Sequence, residues 1–296
     1  MDQVPFLFCE SVSGLLPDLA NLTTFKPLPK IWNYAVTEWT NRLNLVTISI
    51  SQDSSKRWSY SICGQERFQS LNLKDLLKFD MRYLRIASLT IAPFLDPLNS
   101  EPLSDKDLFG ILLPLIKFQT SDNAFLILHP KVSGFGSLFQ DLASISKLTT
   151  LGLSYNGPET VKFLKQRLET GPIEHLNLSG SWPETTESLL IEAVRSGRLS
   201  SADLAFSNLL ISLDFVRAIY DHWDQSRSHG KLQMEICGRR NFDLDEVKHL
   251  FPGGQNSDGD KLVFAGLKNS FICDLSVNPK ENCVFNCGDF VRIYTE

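Results

Sequence analysis

The sequence predicts an α/β protein: a degenerate solenoid of parallel strands with outer helices, preceded by a small helical segment. Three observations carry this expectation. First, LTTLGLSYNGPETVKFLKQRLETG (148–171) is followed at once by IEHLNLSGSWPETTESLLIEAVRSG (173–197), and alignment sets Leu151 over Leu176, Leu153 over Leu178 and Pro158-Glu159-Thr160 over Pro183-Glu184-Thr185. Second, each copy opens with apolar residues at alternate positions, as a strand with one buried face requires, and then switches to a helical period. Third, the register extends outward, to Leu126 and Leu128 upstream and to Ala202 and Leu204 downstream, so four units are visible.

Taken along the chain, residues 1–42 differ in texture from the rest. Phe8, Val12, Leu15 and Leu16 share one helical face, and Leu28, Trp32, Val36 and Trp39 another, separated by Pro17 and by the turn from Pro27 to Pro29. Residues 43–80 connect: LVTISIS and RWSYSICG alternate around QDSSK and predict a hairpin from Leu45 to Cys63, with a helix after it. Residues 81–278 form the expected solenoid. Its first strand is MRYLRIASL near Leu84, followed by a helix from Ser104 to Phe118 with Leu108, Ile111, Leu112 and Leu115 on one side and a kink at Pro114.

In the quoted pair, proline suits the first helical turn and glycine the C-terminal cap. Pro158 and Gly171 bound a stripe of Val161, Leu164 and Leu168, while Pro183 and Gly197 bound Leu189, Leu190, Ala193 and Val194. The next helix is marked by Val216, Ile219, Tyr220 and Trp223. Beyond it the rhythm loosens: LQMEICG near Met234 and KLVFAGL near Phe264 read as strands, and Leu244, Val247 and Phe251 as a helix between them. Residues 279–296, with Phe285, Phe290 and Tyr294, are expected to form a C-terminal cap or tail.

LTTLGLSYN, Leu148 to Asn156, fits L-x-x-L-x-L-x-x-N at every fixed position, and the spacing falls within the roughly 20–29 residues of that repeat class. The segment therefore resembles a leucine-rich repeat. IEHLNLSGS fits with Ile173 leading and Ser181 in the asparagine place, whereas LSSADLAFS carries Ala202 and Ser207, so no regular asparagine ladder is expected. The competing reading is an ordinary α/β domain with two similar adjacent units.

In such a stack one unit cannot bury its strand face alone, and neighbours bury it jointly. Side chains alternate along a strand, so inward Leu151 and Leu153 imply outward Thr150, Gly152 and Ser154. The same parity exposes Phe125, Ile127 and His129, then His175, Asn177 and Ser179, then Ser201, Asp203 and Ala205, with Gln233, Glu235 and Cys237 continuing it. A protein target is expected on this face, with Phe125, Ile127, His129, Thr150, His175, Asn177, Ser201, Asp203 and Glu235 as the binding residues. The plainer alternative is a solvated surface.

The first forty residues resemble an F-box, the helical module that docks onto a Skp-family adaptor of cullin ubiquitin ligases. Val4-Pro5 stands where that family has Leu-Pro, Val12 and Leu15 supply the following apolar helix, Asp18-Leu19 and Leu22 are similar to D-L-x-x-L, and Trp32 matches the closing tryptophan. The interval from Phe25 to Trp32 is longer than the family pattern. The M-D-x-V-P start also resembles the divergent F-box-like proteins expanded in nematodes. The resemblance implies adaptor contacts by Val4, Pro5, Val12, Leu15, Leu19, Leu22 and Trp32, and a substrate-recognition subunit of a ubiquitin ligase. Its alternatives are helices that only cap the solenoid, and a ligase-independent leucine-rich-repeat scaffold.

Composition narrows the classes further. With 296 residues, 43% of them hydrophobic, the chain has material for a large core. Its 29 basic and 34 acidic residues give a formal charge of -5, which argues against a general nucleic-acid partner. The start lacks the basic stretch of a secretory signal, and no apolar run reaches a membrane span, FGILLPLIKF being nearest and interrupted by proline. A cytoplasmic or nuclear protein with no membrane partner is expected. Six scattered cysteines read as reduced thiols.

No catalytic, metal or cofactor site is expected. His175, Ser179 and Asp203 could share the open face, but nothing such as G-x-S-x-G accompanies them. Cys283 and Cys287, with Cys273 nearby, lack paired zinc-knuckle spacing. The loop Pro252 to Lys261 lacks the calcium-loop spacing, and Gly134 with Gly136 lacks the residues that complete a phosphate loop.

Overall fold

In the computed structural model, residues 5–13, 30–64, 70–96, 99–131, 136–226, 234–250, 255–256, 261–265, 270–274 and 290–295 are described. The chain divides into two compact units, residues 1–134 with 147–149, and residues 135–146 with 150–296. Both are α/β, with mixed sheets in which parallel pairing dominates the central strands.

In the first unit the elements are α1 (Phe6–Ser13), α2 (Lys30–Arg42), β1 (Asn44–Gln52), β2 (Trp58–Gly64), β3 (Ser70–Leu71), α3 (Leu73–Leu76), β4 (Leu84–Ala92), β5 (Glu101–Leu103), α4 (Asp105–Asp107), α5 (Leu113–Gln119) and β6 (Thr120–Leu128). The predicted hairpin is present: β1 and β2 pair antiparallel, with Ser49 opposite Ser61. Its turn is closed by Asp53, whose carboxylate accepts from the backbone N–H groups of Ser55 and Arg57. β1 then pairs parallel with β4, and β4 with β6, aligning Leu89 with Leu126 and Ile91 with Leu128. Val46, Ile48, Ile50, Ile86, Leu89, Ile91, Leu126 and Leu128 are all buried, alternating with period two in β1 and β6 and, in β4, on either side of a register shift between Ile86 and Ser88.

Two expectations fail here, each for a physical reason. The helix expected from Ser104 to Phe118 slips by one residue: a π-helical turn, Leu108–Leu112, lies between α4 and α5, and the Leu113 N–H donates to the Leu108 carbonyl. The extra residue precedes Pro114, which has no N–H to give, and it rotates the following turn. The buried face is therefore Leu108, Leu112, Leu113 and Ile116, while Ile111 and Leu115 are half-buried.

The second failure is α1, which buries Cys9, Glu10 and Ser13 rather than the apolar face of Phe8 and Val12. Phe8 is 54% exposed. The reason is a polar anchor: the Tyr83 hydroxyl donates to Glu10 Oε1 at 2.6 Å, with the Arg42 and Arg82 guanidinium groups over the Tyr83 ring. Burying a carboxylate is tolerated where it accepts such a bond beside positive charge. The Glu10 contact also holds the Tyr83 hydroxyl above its ordinary pKa. In α2, Val36 and Trp39 are buried as expected, and Trp39 clusters with Leu43 and Tyr83.

The second unit contains α6 (Gly136–Ala143), β7 (Thr150–Ser154), α7 (Pro158–Thr170), β8 (His175–Gly180), α8 (Thr185–Arg195), β9 (Ser201–Ser207), β10 (Leu210–Ile211), α9 (Leu213–Ser226), β11 (Glu235–Arg240), α10 (Leu244–Leu250), β12 (Gln255–Asn256), β13 (Lys261–Ala265), β14 (Ser270–Asp274) and β15 (Phe290–Thr295). The sequence register becomes the strand register. β7 and β8 pair parallel with Leu151 opposite Leu176 and Leu153 opposite Leu178, and β8 pairs with β9 through Leu176 and Ala202. β11 adds Ile236 opposite Ala202.

Each helix returns over the buried sheet face, but its stripe is wider and rotated from the expected one. In α7 the buried residues are Thr160, Phe163, Leu164, Arg167 and Leu168, with Val161 half-buried. In α8 they are Thr186, Leu190, Ala193 and Val194, with Leu189 half-buried. In α9, Val216, Ile219 and Trp223 are buried with Phe215 and Ala218, whereas Tyr220 is half-buried. Neighbouring helices bury the flanks as well as the centre of the stripe, because α6, α7, α8 and α9 touch in sequence. Gly197 ends α8 in the left-handed region at φ 67, while Gly171 is extended and needs no such freedom.

After β11 the parallel order stops. β15 lies between β11 and β14, and β12, β13, β14 and β15 all pair antiparallel. KLVFA is thus a strand as expected, but not another parallel repeat. The C-terminal segment contributes a hydrogen-bonded strand within the sheet, Phe290 and Tyr294 included, while Phe285 lies outside the described residues.

Candidate functional site

In the second unit the strand register sets out the open face row by row. Thr150 lies opposite His175 and Gly152 opposite Asn177; Asn177 lies opposite Asp203, Ser201 opposite Glu235, and Asp203 opposite Cys237. His175, Asn177 and Glu235 are exposed, and Thr150, Ser201, Asp203 and Cys237 half-buried. Period-two parity thus brings six of the expected binding residues onto one surface. Gln233 lies outside the described residues.

Two residues expected outward are buried. Ser154 is covered while bonded to Ser179 on the next strand, and Ala205 is buried with Phe206 exposed instead. The register shifts between Asn177 and Ser179, which lies opposite Phe206. Asp203 Oδ1 accepts from the Ala205 N–H at 3.0 Å, a local bond that competes with the ladder and seats the bulge.

Phe125, Ile127 and His129 belong to the first unit, where they are exposed on and just after β6, with Phe125 opposite Ser88 and Ile127 opposite Thr90.

At the amino-terminal edge of β8, β9 and β11 the second unit holds a cavity of about 470 Å³. Expected face residues His175, Ser201 and Glu235 line it, joined by Glu174 and Ser200, each one position ahead of its strand. Met234 and Tyr294 complete the wall. Tyr294 pairs opposite Glu235, and Arg292, two residues earlier on β15, reaches back to Glu235 Oε1 at 2.8 Å. The same guanidinium stands 5.0 Å from the centre of the Tyr294 ring. Nothing in the repeat pattern places Tyr294 here, because its strand returns antiparallel from outside the repeats.

His175, Ser179 and Asp203 do not join as a catalytic set. The Ser179 hydroxyl is engaged with that of Ser154 at 2.8 Å, a bond between equivalent positions of successive repeats, and Asp203 serves the bulge. Asn156, the residue in the asparagine place of the repeat, donates to its own strand at the Ser154 carbonyl. Among the described residues no three His, Cys, Asp or Glu side chains gather as a metal site; Cys273 is buried, and Cys283 and Cys287 lie outside those residues.

Of the expected adaptor residues, Pro5 is exposed, and Val12 and Trp32 are half-buried; Val4, Leu15, Leu19 and Leu22 lie outside the described residues. α1 and α2 pack together, with Phe8 edge-on to Trp32 at 6.3 Å and Phe6 against Tyr34 at 5.4 Å. Leu7, Phe8 and Tyr34 are exposed. Sequence reasoning missed Leu7 and Tyr34, whose only signal is large apolar area on short helices. Among the described residues no helix is long and apolar enough to cross a membrane.

Comparison of the chain with models of known families, with curated proteins and with solved structures returned no match.

Proposed function

We propose that this chain is a non-enzymatic protein-interaction module, a leucine-rich-repeat-like scaffold that holds a protein target on its open sheet face and serves as a substrate-recognition subunit of a cullin-type ubiquitin ligase. The observation that carries the binding half is the in-register run of β7, β8, β9 and β11. It commits one set of side chains to the core and turns His175, Asn177, Ser201, Asp203 and Glu235 outward, and of these His175, Asn177 and Ser201 can vary without touching the bulge bond of Asp203 or the Glu235–Arg292 pair. What supports the adaptor half is the helical pair α1 and α2, with Leu7, Phe8 and Tyr34 exposed together where a monomer would ordinarily cover them.

The test of the adaptor half is co-purification of the full chain with a Skp-family adaptor. Deleting residues 1–42 would remove Trp39 and Glu10 from the core, so the informative variant is Leu7→Glu combined with Tyr34→Glu. A stoichiometric complex lost in that variant supports the ligase reading. No complex with the folded parent chain leaves the helices as a cap and the protein as a stand-alone scaffold. For the binding half, Asn177→Ala and His175→Ala should reduce crosslinking of a cellular target with folding intact.

A further inference from the structure

We infer that the cavity at the amino-terminal edge of β8, β9 and β11 receives a basic side chain, arginine or lysine, presented by the protein partner. This rests on the open-face reading above and names the chemistry the face selects. Two carboxylates, Glu174 and Glu235, line the cavity together with the Tyr294 ring, and these are the groups that stabilise a cation by charge-assisted hydrogen bonds and by the ring's negative face.

The molecule already shows that this wall accepts a guanidinium. Arg292 sits 5.0 Å from the Tyr294 centroid and donates to Glu235 from both Nε, at 2.9 Å, and Nη2, at 2.8 Å. Both contacts fall on Oε1, so Glu235 Oε2 has no partner among the described residues. Glu174 makes no ion pair or side-chain hydrogen bond among those residues either. Among the described residues, the two carboxylates face the one guanidinium of Arg292, and Glu174 is the carboxylate it does not reach. A cavity of about 470 Å³ lies within the roughly 300–1,000 Å³ range of small-ligand sites and holds a long side chain with its stem against Met234. The formal charge of -5 favours approach of a basic partner.

The experiment is a fluorescence-anisotropy titration of a labelled oligoarginine peptide with the full chain, beside oligolysine and oligoglutamate. Glu174→Gln and Glu235→Gln remove charge at the cavity; Glu169→Gln and Glu192→Gln remove the same charge from exposed positions on α7 and α8. We expect both basic peptides to bind and the acidic one not to, with each cavity variant weakening binding about tenfold, the value of one charge-assisted hydrogen bond, and the helix variants leaving it unchanged. Tyr294→Leu should weaken oligoarginine binding while the two carboxylates remain. Equal weakening by all four glutamine variants would reduce the effect to net charge and overturn the assignment, as would no binding by the folded parent chain. Asn177→Ala, outside the cavity lining, separates the two readings. If it abolishes target crosslinking while oligoarginine fails to bind, the face stands and the cavity assignment falls. If oligoarginine binding depends on Glu174 while Asn177→Ala leaves crosslinking intact, the cavity assignment stands and the broader face does not.

Discussion

Replacing Tyr60 with phenylalanine removes one oxygen atom and two hydrogen bonds. The Tyr60 hydroxyl, on a side chain only 4% exposed, donates to Glu101 Oε2 at 2.7 Å and accepts from the Leu73 N–H at 2.8 Å. It thus ties β2 to β5 and to the first residue of α3. Burial, reinforced by the Glu101 carboxylate, pushes its pKa from 10.0 up to about 12. At about 1.36 kcal/mol per pH unit, that gap corresponds to roughly 2–3 kcal/mol held by the protonated hydroxyl in the folded state. Because the folded chain holds the proton more tightly than the unfolded one, the contribution is complete below about pH 10 and drains away as the pH rises towards about 12. We expect Tyr60→Phe to lower stability by about 1–3 kcal/mol near neutral pH, since the Leu73 N–H and the Glu101 carboxylate lose a partner. The parent's advantage should shrink by about half near pH 11 and vanish near pH 12. Urea unfolding followed by circular dichroism at matched pH values measures both chains. A difference that stays constant with pH would refute the coupling of this hydroxyl to folding.

Other substitutions test other joints. Arg167 is fully buried, donates to the Ala143 carbonyl at the end of α6 and to the Ser146 carbonyl, and is held below its ordinary pKa by burial. Arg167→Ala opens a cavity and leaves two carbonyls without their donor, and should cost about 2–5 kcal/mol, while Arg167→Met, which fills most of the volume, should cost less; similar thermal midpoints for the two would contradict this. At Gly197, φ is 67 and an added Cβ would come within 3.2 Å of His222 Cε1, so Gly197→Ala should cost about 1–2 kcal/mol by denaturant midpoint. Tyr83→Phe strips the buried Glu10 carboxylate of its donor, and a loss of about 1–3 kcal/mol with faster proteolysis near α1 is the expected result.

Much of the second unit was legible in the sequence because a tandem repeat states its own register. The match of Leu151 with Leu176 in the sequence is the same match that the hydrogen-bond ladder makes, since identical units can bury identical residues only when stacked in phase. From that phase the outward positions of His175, Asn177, Ser201, Asp203 and Glu235 follow by alternation alone. What alternation cannot see is a residue that bonds to its own backbone, and Asp203 does so, turning Ala205 in and Phe206 out. Nor does periodicity report which face of a short helix wins when a single polar contact outweighs an apolar stripe, as Glu10 with Tyr83 decides for α1. The cavity lay beyond reach for a different reason. Its Tyr294 and the Arg292 beside it arrive on a strand that pairs antiparallel with β11 from far along the chain, and such a pairing is selected by tertiary packing rather than by local pattern. The register of the parallel strands was written in the spacing of the leucines; the place where charge and an aromatic ring converge was set by the chain's return.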